Sequence, residues 1–272
     1  MEKLSLKNFF FFLFSTFMAF TGIYLYFTNK IKIGQSELIA FFVYYIAASF
    51  AVTAGYHRFY SHCSYKCSAL VNWFFLAFGA AAFVNSAIKW ARDHRNHHAH
   101  TDQNRDPYNI NKGFFYAHLG WALLSDEVNS FPAQTKDLES NKLIMYQDRY
   151  IIILSIFMGI LVPWATGYLI LDNHLFGLFF LSFFRIFFFH HSLFLINSYC
   201  HTFGSRPLGS ISASNSLFVA ILTMGDGYHH FHHIYPSDYR AGRKWFNIDL
   251  NKWILFGMNS MGLIHGLKKQ ND

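Results

Sequence analysis

The stretch NFFFFLFSTFMAFTGIYLYF, residues 8–27, contains no charged side chain. As an α-helix it would be about 30 Å long, which is enough to cross the hydrocarbon core of a bilayer. Lys3 and Lys7 precede it, as basic residues precede a signal peptide. However, the run is too long for a signal peptide and no small-x-small cleavage site follows it. We therefore predict a retained transmembrane helix.

The rest of the chain supports a membrane protein, because 53% of its 272 residues are hydrophobic and only 14% are charged. Three further apolar runs are long enough to span. Pro163 lies inside one of them and predicts a kink. Arg185 lies inside another, where charge is costly in lipid, so it should face protein or water, or mark an interfacial stretch. The predicted transmembrane segments are residues 8–27, 38–55, 150–171 and 175–197.

The segment Ala69–Ile88 is apolar enough to span, yet it is rich in small residues and interrupted by two asparagines. If it does not cross, residues 57–149 carry ten Lys and Arg on one face, and the tail after Asn197 carries seven on the same face. The opposite face then keeps only Lys30 and Lys32. This asymmetry favours a re-entrant or interfacial helix, with both termini on the cytoplasmic side.

Nine histidines then fall on that cytoplasmic side, near the points where helices leave the lipid. On a helix, positions i, i+3 and i+4 share a face, so each HxxHH motif offers three imidazoles to one centre. HxxxxH does not share a face on a regular α-helix and would need a helix end or a local irregularity. One such motif is weak evidence, but several on one side of a membrane unit predict metal binding. The candidate ligands are His57, His62, His94, His97, His98, His201, His229, His232 and His233.

Nine imidazoles exceed the coordination number of one ion, so two ions are predicted, although imidazole alone does not distinguish Fe, Zn, Cu and Ni. The three cysteines show no CxxC spacing and are read as reduced, apolar-packing thiols. Carboxylates near the motifs could orient the imidazoles. These are Asp93, Asp226 and either Asp102 or Asp106, of which the last two could equally be helix caps or turn residues.

The motifs HRFYSH, KWARDHRNHH, DPYN, GFFYAHLGW, NSYCHTFGSRP and GDGYHHFHHIYPSDYR resemble, in this order, those of the membrane acyl-CoA Δ9-desaturase (stearoyl-CoA desaturase) family. The similarity runs from about residue 38 to residue 258 and is closest to bacterial-type members without a cytochrome b5 domain. It implies an all-α integral membrane protein with four transmembrane helices, an interfacial or re-entrant helix and a cytoplasmic helical cap that carries three histidine boxes. The implied reaction uses O2 to place a cis double bond, at Δ9, in a saturated acyl chain during unsaturated fatty acid biosynthesis.

The resemblance also implies site residues. One iron would be bound by His57, His62, His94, His98 and His232. The other would be bound by His97, His201, His229 and His233, with Asn197 nearby through a water. Asn85, Trp90, Arg92 and Asp93 match positions near the acyl-carrier head group.

This chain departs from the family pattern at two places. Asp226 stands where the family often has glutamate, which shortens its reach toward a metal ligand. His230 stands where the family often has asparagine, and on a helix it points about 100° away from His229. We therefore expect His230 not to bind metal. His190 and His191 have no role that the sequence defines.

We expect a single desaturase domain over residues 1–272. There is no haem-binding HPGG stretch and no Rossmann glycine fingerprint, so electrons should come from a separate ferredoxin or a cytochrome b5-like carrier with its reductase. The net charge of +7 suits the predicted topology and anionic lipid, and the basic residues follow membrane loops, so a nucleic acid partner is not expected. The location would be a bacterial inner membrane, or the endoplasmic reticulum of a eukaryote.

Two other functions are compatible with parts of this pattern. A membrane di-iron hydroxylase of alkanes or lipids shares the histidine boxes. Only the flanking sequence motifs WARDHR, NSxxH and GxGxH favour a desaturase. A metal transporter would need polar residues through its spans, and these spans have almost none. The acyl carrier, which could be CoA, carrier protein or lipid, is left open.

Overall fold

The computed structural model describes residues 3–125, 135–206 and 211–270, and the protein is helical over most of them. Four helices are long and apolar enough to cross a membrane, which confirms the predicted number of spans. On the first of them, large apolar side chains such as Phe10, Phe14 and Phe17 are exposed, as expected of a surface that faces lipid. The four spans are Leu6–Phe27, Gln35–Ser61, Ile151–Leu169 and His174–Thr202.

The second and fourth spans are longer than predicted, because each helix continues into the cap that carries the histidines. The second was expected to end near Gly55 and ends at Ser61; the fourth was expected to end near Asn197 and ends at Thr202. Loss of hydropathy marks the edge of the membrane, whereas a helix ends only where its hydrogen bonding stops. The extensions bring His57 and His201 onto rigid helices.

Three of the spans contain a π-helical segment, in which N–H groups bond to the carbonyl five residues back. The second span consists of α2 (Gln35–Phe50) and a π-helix over Ala51–Ser61. In the third, the π-helix Phe157–Leu161 directly precedes Pro163, whose ring cannot continue regular α-helical bonding. The bounds of the spans are α1 (Leu6–Phe27), α8 (Ile151–Ile156), α9 (Val162–Leu169), α10 (His174–Phe176), a π-helix (Gly177–Phe184) and α11 (Arg185–Thr202).

Shorter elements connect and follow the spans, and most of them form a cap on one side. They are α3 (Ala69–Ala81), α4 (Ala87–His100), a 3-10 turn (Ile110–Lys112), a π-helix (Tyr116–Gly120), α5 (Trp121–Leu123), α6 (Lys136–Glu139), α7 (Lys142–Arg149), α12 (Leu217–Leu222), α13 (His229–Ile234) and α14 (Leu250–Ser260). Two antiparallel pairs of two-residue strands join the ends of the chain to the cap. They are β1 (Lys3–Leu4) with β3 (Leu124–Ser125), and β2 (Lys66–Cys67) with β4 (Ile264–His265).

Helix α3 does not span the membrane, since its 13 residues extend only about 20 Å. The turn that follows it dips between the spans. The Ala81 carbonyl lies beside Gly159, eight residues inside the third span, where a Cβ would be 2.9 Å from that oxygen. Helix α4 then returns toward the cap. The segment is therefore a re-entrant hairpin, which is one of the two predicted alternatives.

Arg185 explains how this turn is tolerated at that depth. Its guanidinium is fully buried and donates to the carbonyls of Ala81 and Gly159 at 3.1 Å each, and to Leu181 at 2.7 Å. His190 adds a bond to the Ala82 carbonyl at 2.8 Å. Irregular backbone is stable inside a membrane only where protein groups satisfy it. Arg185 thus faces protein, as predicted, and His190 has a structural role that the sequence did not reveal.

The largest core packs the hairpin against the second span. Small residues allow this close approach. A Cβ on Gly79 would lie 2.3 Å from the Tyr56 ring, and one on Gly55 would lie 2.6 Å from the Phe75 ring. The hairpin is thereby fixed against the helix that carries His57, which holds α4 in place for the second histidine box.

Candidate metal centre

The first histidine box lies on the π-helical end of the second span. The His62 N–H bonds to the His57 carbonyl at 3.2 Å, a spacing of five residues. A helix with this bonding stacks residues i and i+5, so both imidazoles face the same way. The local irregularity that HxxxxH requires is therefore present.

The second and third boxes are divided between two centres. On α4, His94 and His98 are four residues apart and face one centre, whereas His97 faces the other. On α13, His229 and His233 are four residues apart and face the second centre, whereas His232 faces the first. Each short helix therefore supplies both centres, and the expectation from spacing alone that the three imidazoles of one HxxHH share a single centre was wrong.

The result is two groups of imidazoles. Within each group, the ligand atoms all lie within 4.8 Å of one another. The first cluster consists of His57, His62, His94, His98 and His232; the second consists of His97, His201, His229 and His233. The clusters adjoin, since the His98 and His233 rings stack 4.3 Å apart. This is the division that the resemblance implied.

The nitrogen spacings fit a metal ion in each cluster. In the first, the Nε2 atom of His232 lies 2.8 Å from that of His57 and 2.9 Å from that of His98. In the second, the Nε2 atom of His229 lies 3.0 Å from those of His201 and His233. An ion about 2.1 Å from two nitrogens at right angles separates them by about 3 Å. The imidazoles are therefore already spaced as ligands of one ion are.

Six of the cluster histidines are held in their neutral form. Burial, reinforced by neighbouring imidazoles, lowers the pKa of His62, His94 and His98 well below the ordinary histidine value. The same causes lower the pKa of His229, His232 and His233. Only neutral imidazole offers a lone pair to a metal, so these residues can bind one at neutral pH.

Carboxylates orient several of these rings. His57 Nδ1 donates to Asp226 Oδ2 at 2.7 Å, and His97 Nδ1 donates to Asp106 Oδ1 at 2.8 Å. With the proton fixed on Nδ1, the lone pair of Nε2 points to the cluster centre. Burial alone would raise the pKa of Asp226, but His57 and Arg58 hold it below its usual value. Asp226 therefore orients a ligand of the first box, not of the third box that follows it in sequence.

His201 is oriented through an intermediate side chain. Its Nδ1 atom lies 2.5 Å from Ser212 Oγ, which donates to Asp102 Oδ1 at 2.6 Å. Burial opposes ionisation of Asp102, yet its contacts with His201 and Ser212 lower its pKa to about 2. Asp106 thus orients His97 directly, and Asp102 orients His201 through Ser212. Both histidines belong to the second cluster.

Asp93 does not orient a histidine, contrary to expectation. It accepts a bond from Lys89 at 2.9 Å, and burial raises its pKa despite that contact. Neighbouring residues on a helix diverge by about 100°, so Asp93 points away from His94, whereas Lys89 lies one turn earlier on the same face.

A cavity of about 750 Å³ borders both clusters. His57 and His94 of the first cluster and His229 of the second line it, together with Asn197. Most of its wall is apolar, and the Trp90 ring stacks on His94 at 4.8 Å. Lys7, Asn8, Asn85 and Lys89 provide a polar end.

The other end of the cavity lies between the spans. The deepest lining residues on the first, third and fourth spans are Phe14, Ile160 and Phe183. The Phe14 and Phe183 rings meet edge to face at 5.5 Å at this end. The shape is that of a long apolar pocket with a polar mouth and imidazoles along its side.

The comparisons with known proteins agree with this site. The fatty acid desaturase family model matches residues 37–260, which is most of the chain. This chain belongs to the fatty acid desaturase family. The resemblance found from the sequence motifs is thus confirmed.

Curated members of the family are similar over nearly the whole chain. A probable acyl-CoA desaturase of Schizosaccharomyces pombe is 36% identical over 253 residues, 92% of this chain and 52% of that protein. Acyl-CoA desaturase 1 of Saccharomyces cerevisiae is 33% identical over 254 residues, which are 93% of this chain and 50% of that protein. Stearoyl-CoA desaturase of Sus scrofa is 34% identical over 264 residues, which are 92% of this chain and 70% of that protein. The chain spans about half the length of the two yeast proteins.

The cavity reaches three of the four predicted substrate residues, Asn85, Trp90 and Asp93. It does not reach Arg92, which lies on α4 between two of them but points elsewhere. Asn197 lies one helical turn before His201 and lines the cavity beside His229. His230 lies outside both clusters, with its Nδ1 atom 2.8 Å from the Ala213 carbonyl oxygen.

Three residues that contact the site were missed by the sequence interpretation. Arg58 donates to Asp226 at 2.7 Å and to Asp249 at 3.1 Å, and all three side chains are buried. Ser212 links His201 to Asp102. Arg58 directly follows a predicted ligand, which was an available signal, but nothing in the local sequence marks Ser212 or Asp249.

Proposed function

We propose that this chain is an O2-dependent fatty acyl desaturase that places a cis double bond, at Δ9, in a saturated long acyl chain. One observation carries the proposal: two imidazole clusters border the same largely apolar cavity. The cavity suits a hydrocarbon chain, and the clusters suit redox metals beside its middle. The names of the related acyl-CoA and stearoyl-CoA desaturases support the same reaction.

Each cluster would hold one iron, with the five ligands of the first cluster and the four of the second, and Asn197 would contact the second through a water. When bound, the two irons would supply the oxidising power, with O2, that an unactivated methylene pair requires. The balance is one acyl chain, O2, two electrons and two protons giving one unsaturated chain and two waters.

The protein's own residues would place the chain and exclude water. The wall of phenylalanine, isoleucine and leucine fixes the hydrocarbon, while Phe14 and Phe183 limit its depth. Trp90 packs on His94 and forms a flat wall beside the first cluster. Asn85 and Asp93, with Lys7 and Lys89, line the cavity and would contact the polar head of the substrate at the mouth.

Two electrons must reach the site from outside, and we propose a separate ferredoxin or a cytochrome b5-like protein with its reductase as donor. Both termini and the cap would face the cytoplasm. The ten basic residues of 57–149 and the seven of the tail support this orientation through the positive-inside rule.

Expression in a host without fatty acyl desaturase, followed by fatty acid profiling, tests the proposal. We expect cis-Δ9 unsaturated products with the unchanged chain and none with His232→Ala. Hydroxylated chains instead of unsaturated ones would favour the hydroxylase alternative. Normal expression with a donor present but no oxidised fatty acid would contradict both.

A further inference from the structure

A second cavity, of about 620 Å³, lies near the carboxyl end of the chain, away from the clusters. We refer to it as the basic aromatic cavity. Five aromatic side chains line it, Tyr239, Trp245, Phe246, Trp253 and Phe256, together with basic residues that include Lys244 and Lys269. Within the part of the chain that the structure describes, no acidic side chain lines this cavity.

A hydrogen bond places this cavity at the edge of the membrane. Asn251 Nδ2, in the first turn of α14, donates to Thr53 Oγ1 at 2.9 Å. Thr53 lies 18 residues after Gln35, the first residue of the second span, which is about 27 Å along a helix. The hydrocarbon core is about 30 Å thick, so Thr53 and the start of α14 lie at its boundary.

The aromatic side chains at this level are far more exposed than those of a protein core. Trp245 is 83% exposed, Phe256 61% and Phe246 57%. Contiguous exposed apolar groups mark a surface that contacts lipid or another protein. Tryptophan beside lysine and arginine is the typical composition of a surface at the membrane–water interface.

The acidic residues of this region are directed inward, which leaves a positive surface. Asp249 accepts bonds from Arg58 and from the backbone N–H groups of Ala241 and Gly242. Asp238 pairs with Arg240 at 2.8 Å. Among the described residues, no carboxylate lies within 4.0 Å of the ammonium group of Lys244 or Lys269.

Another lysine shapes the cavity from inside. The Lys252 ammonium donates to the carbonyls of Gly242 and Lys244 at 2.9 and 2.7 Å, and to that of Asn247 at 3.2 Å. It thereby holds the loop that presents Lys244 and Trp245. The position of these side chains is thus set by buried contacts within the protein.

We propose that the basic aromatic cavity binds the phosphate group of an anionic membrane phospholipid. Lys244 and Lys269 pair with the phosphate, while the tryptophan and phenylalanine rings pack on the glycerol and the upper part of the acyl chains. A soluble acidic protein would share the charge complementarity, but it would leave four large apolar side chains beside lipid without a role. The inference depends on the membrane position of the chain and not on its enzymatic activity.

Native mass spectrometry of the full chain, released from micelles, measures the binding. We expect phosphatidylglycerol to be retained over phosphatidylcholine. Lys244→Gln with Lys269→Gln should weaken phosphatidylglycerol binding about twenty-five-fold, because each lysine near an anionic head group contributes a factor of about five. The matched control, Lys136→Gln with Lys142→Gln, removes the same charge from exposed positions elsewhere on the cap and should bind as the unchanged protein does.

Lys244→Arg with Lys269→Arg keeps the charge and should restore binding, which separates loss of charge from damage to the fold. Equal retention of the two lipids, or equal loss in the matched control, would overturn the proposal. Displacement of phosphatidylglycerol by millimolar glycerol 3-phosphate would indicate a site for free phosphate instead. Loss of ferredoxin binding in the Gln pair, with lipid retention unchanged, would assign the surface to a protein.

Discussion

The Nδ1 atom of His57 lies 2.7 Å from Oδ2 of Asp226, 169 residues further along the chain, and the same carboxylate accepts a bond from Arg58 at 2.7 Å. One acidic residue thus orients a cluster imidazole and balances a buried guanidinium. The segment before the third histidine box is thereby tied to the first box.

Asp226→Asn should weaken metal binding at the first cluster. The amide keeps the size of the side chain but no longer fixes the proton on His57 Nδ1, and removal of such an orienting partner typically costs 10–100-fold in metal affinity. Titration of iron release with a chelator measures this change. Asp137→Asn, in the half-exposed pair with Arg95, is the control and should leave iron affinity unchanged. Equal affinities in the two variants would contradict an orienting role.

The third box allows ligands to be separated from their neighbour. His229→Ala and His232→Ala each remove a nitrogen from one cluster, so we expect iron per chain to fall and unsaturated product to be lost. His230→Asn should keep both, because an amide can still donate to the Ala213 carbonyl. Iron content and fatty acid products of the three variants decide the matter. If His230→Asn lost iron and product while His229→Ala kept both, the assignment of ligands along α13 would be wrong.

Arg185→Met should destabilise the protein although it removes a charge from the membrane. The carbonyls of Ala81 and Gly159 would each lose a buried donor, at a cost of about 1–3 kcal/mol per group. The stability of Arg185→Lys should fall between that of Arg185→Met and that of the unchanged protein, because one ammonium group cannot make all the hydrogen bonds of a planar guanidinium. Thermal unfolding in detergent measures the order of stability. A Met variant as stable as the unchanged protein would show that the turn finds other donors.

Phe183→Ala should extend the apolar cavity, because the buried Phe183 ring lines its deep end. We expect the product profile to shift toward longer chains when a mixture of acyl substrates is supplied. Phe187→Ala makes the same truncation one turn away, at a ring that contacts Phe20 and His191 outside the cavity, and should not shift the profile. An unchanged profile in Phe183→Ala would place the limit on chain length elsewhere.

His118 should make the stability of the protein depend on pH. Burial, with the nearby His191 imidazole, lowers the pKa of His118 from 6.5 to about 4. Between these values the unfolded chain binds a proton that the folded chain does not, so stability falls as the pH drops from about 6.5 to about 4. His118→Gln should therefore lose less thermal stability between pH 7 and pH 5 than the unchanged protein. His265→Gln, at an exposed position, should lose as much as the unchanged protein does.

The spans follow from local patterns in the sequence, because uncharged runs mark them. The spacing of the boxes indicates which histidines bind metal, but by itself it assigned all three imidazoles of a box to one centre, whereas the fold divides each HxxHH between two clusters. The ends of the helices do not follow from hydropathy. Arg58 is only 2% exposed although it lies past the apolar run, because the helix continues into a cap that buries it.

The contacts that orient the ligands could not be predicted, because they join residues far apart in the chain. Asp226 lies three residues before His229, and its sequence neighbourhood suggested that box, yet packing of α13 against the second span brings it to His57. Ser212 reaches His201 and Asp102 only through the fold. The extent of the domain, the number of irons and the site assignments stay predictions.

The π-helix Ala51–Ser61 has a consequence for how ligand spacings are compared between sequences. Inserting one residue into a regular helix rotates everything after it by about 100°, but a π-helical segment absorbs that residue and restores the direction of the next side chain. A histidine pair separated by three residues on an ordinary helix would therefore present its nitrogens much as His57 and His62 do here. Two sequences that differ by such a one-residue gap can hold the same geometry, so an alignment penalty at this point measures a change of helix type and not a change of metal site.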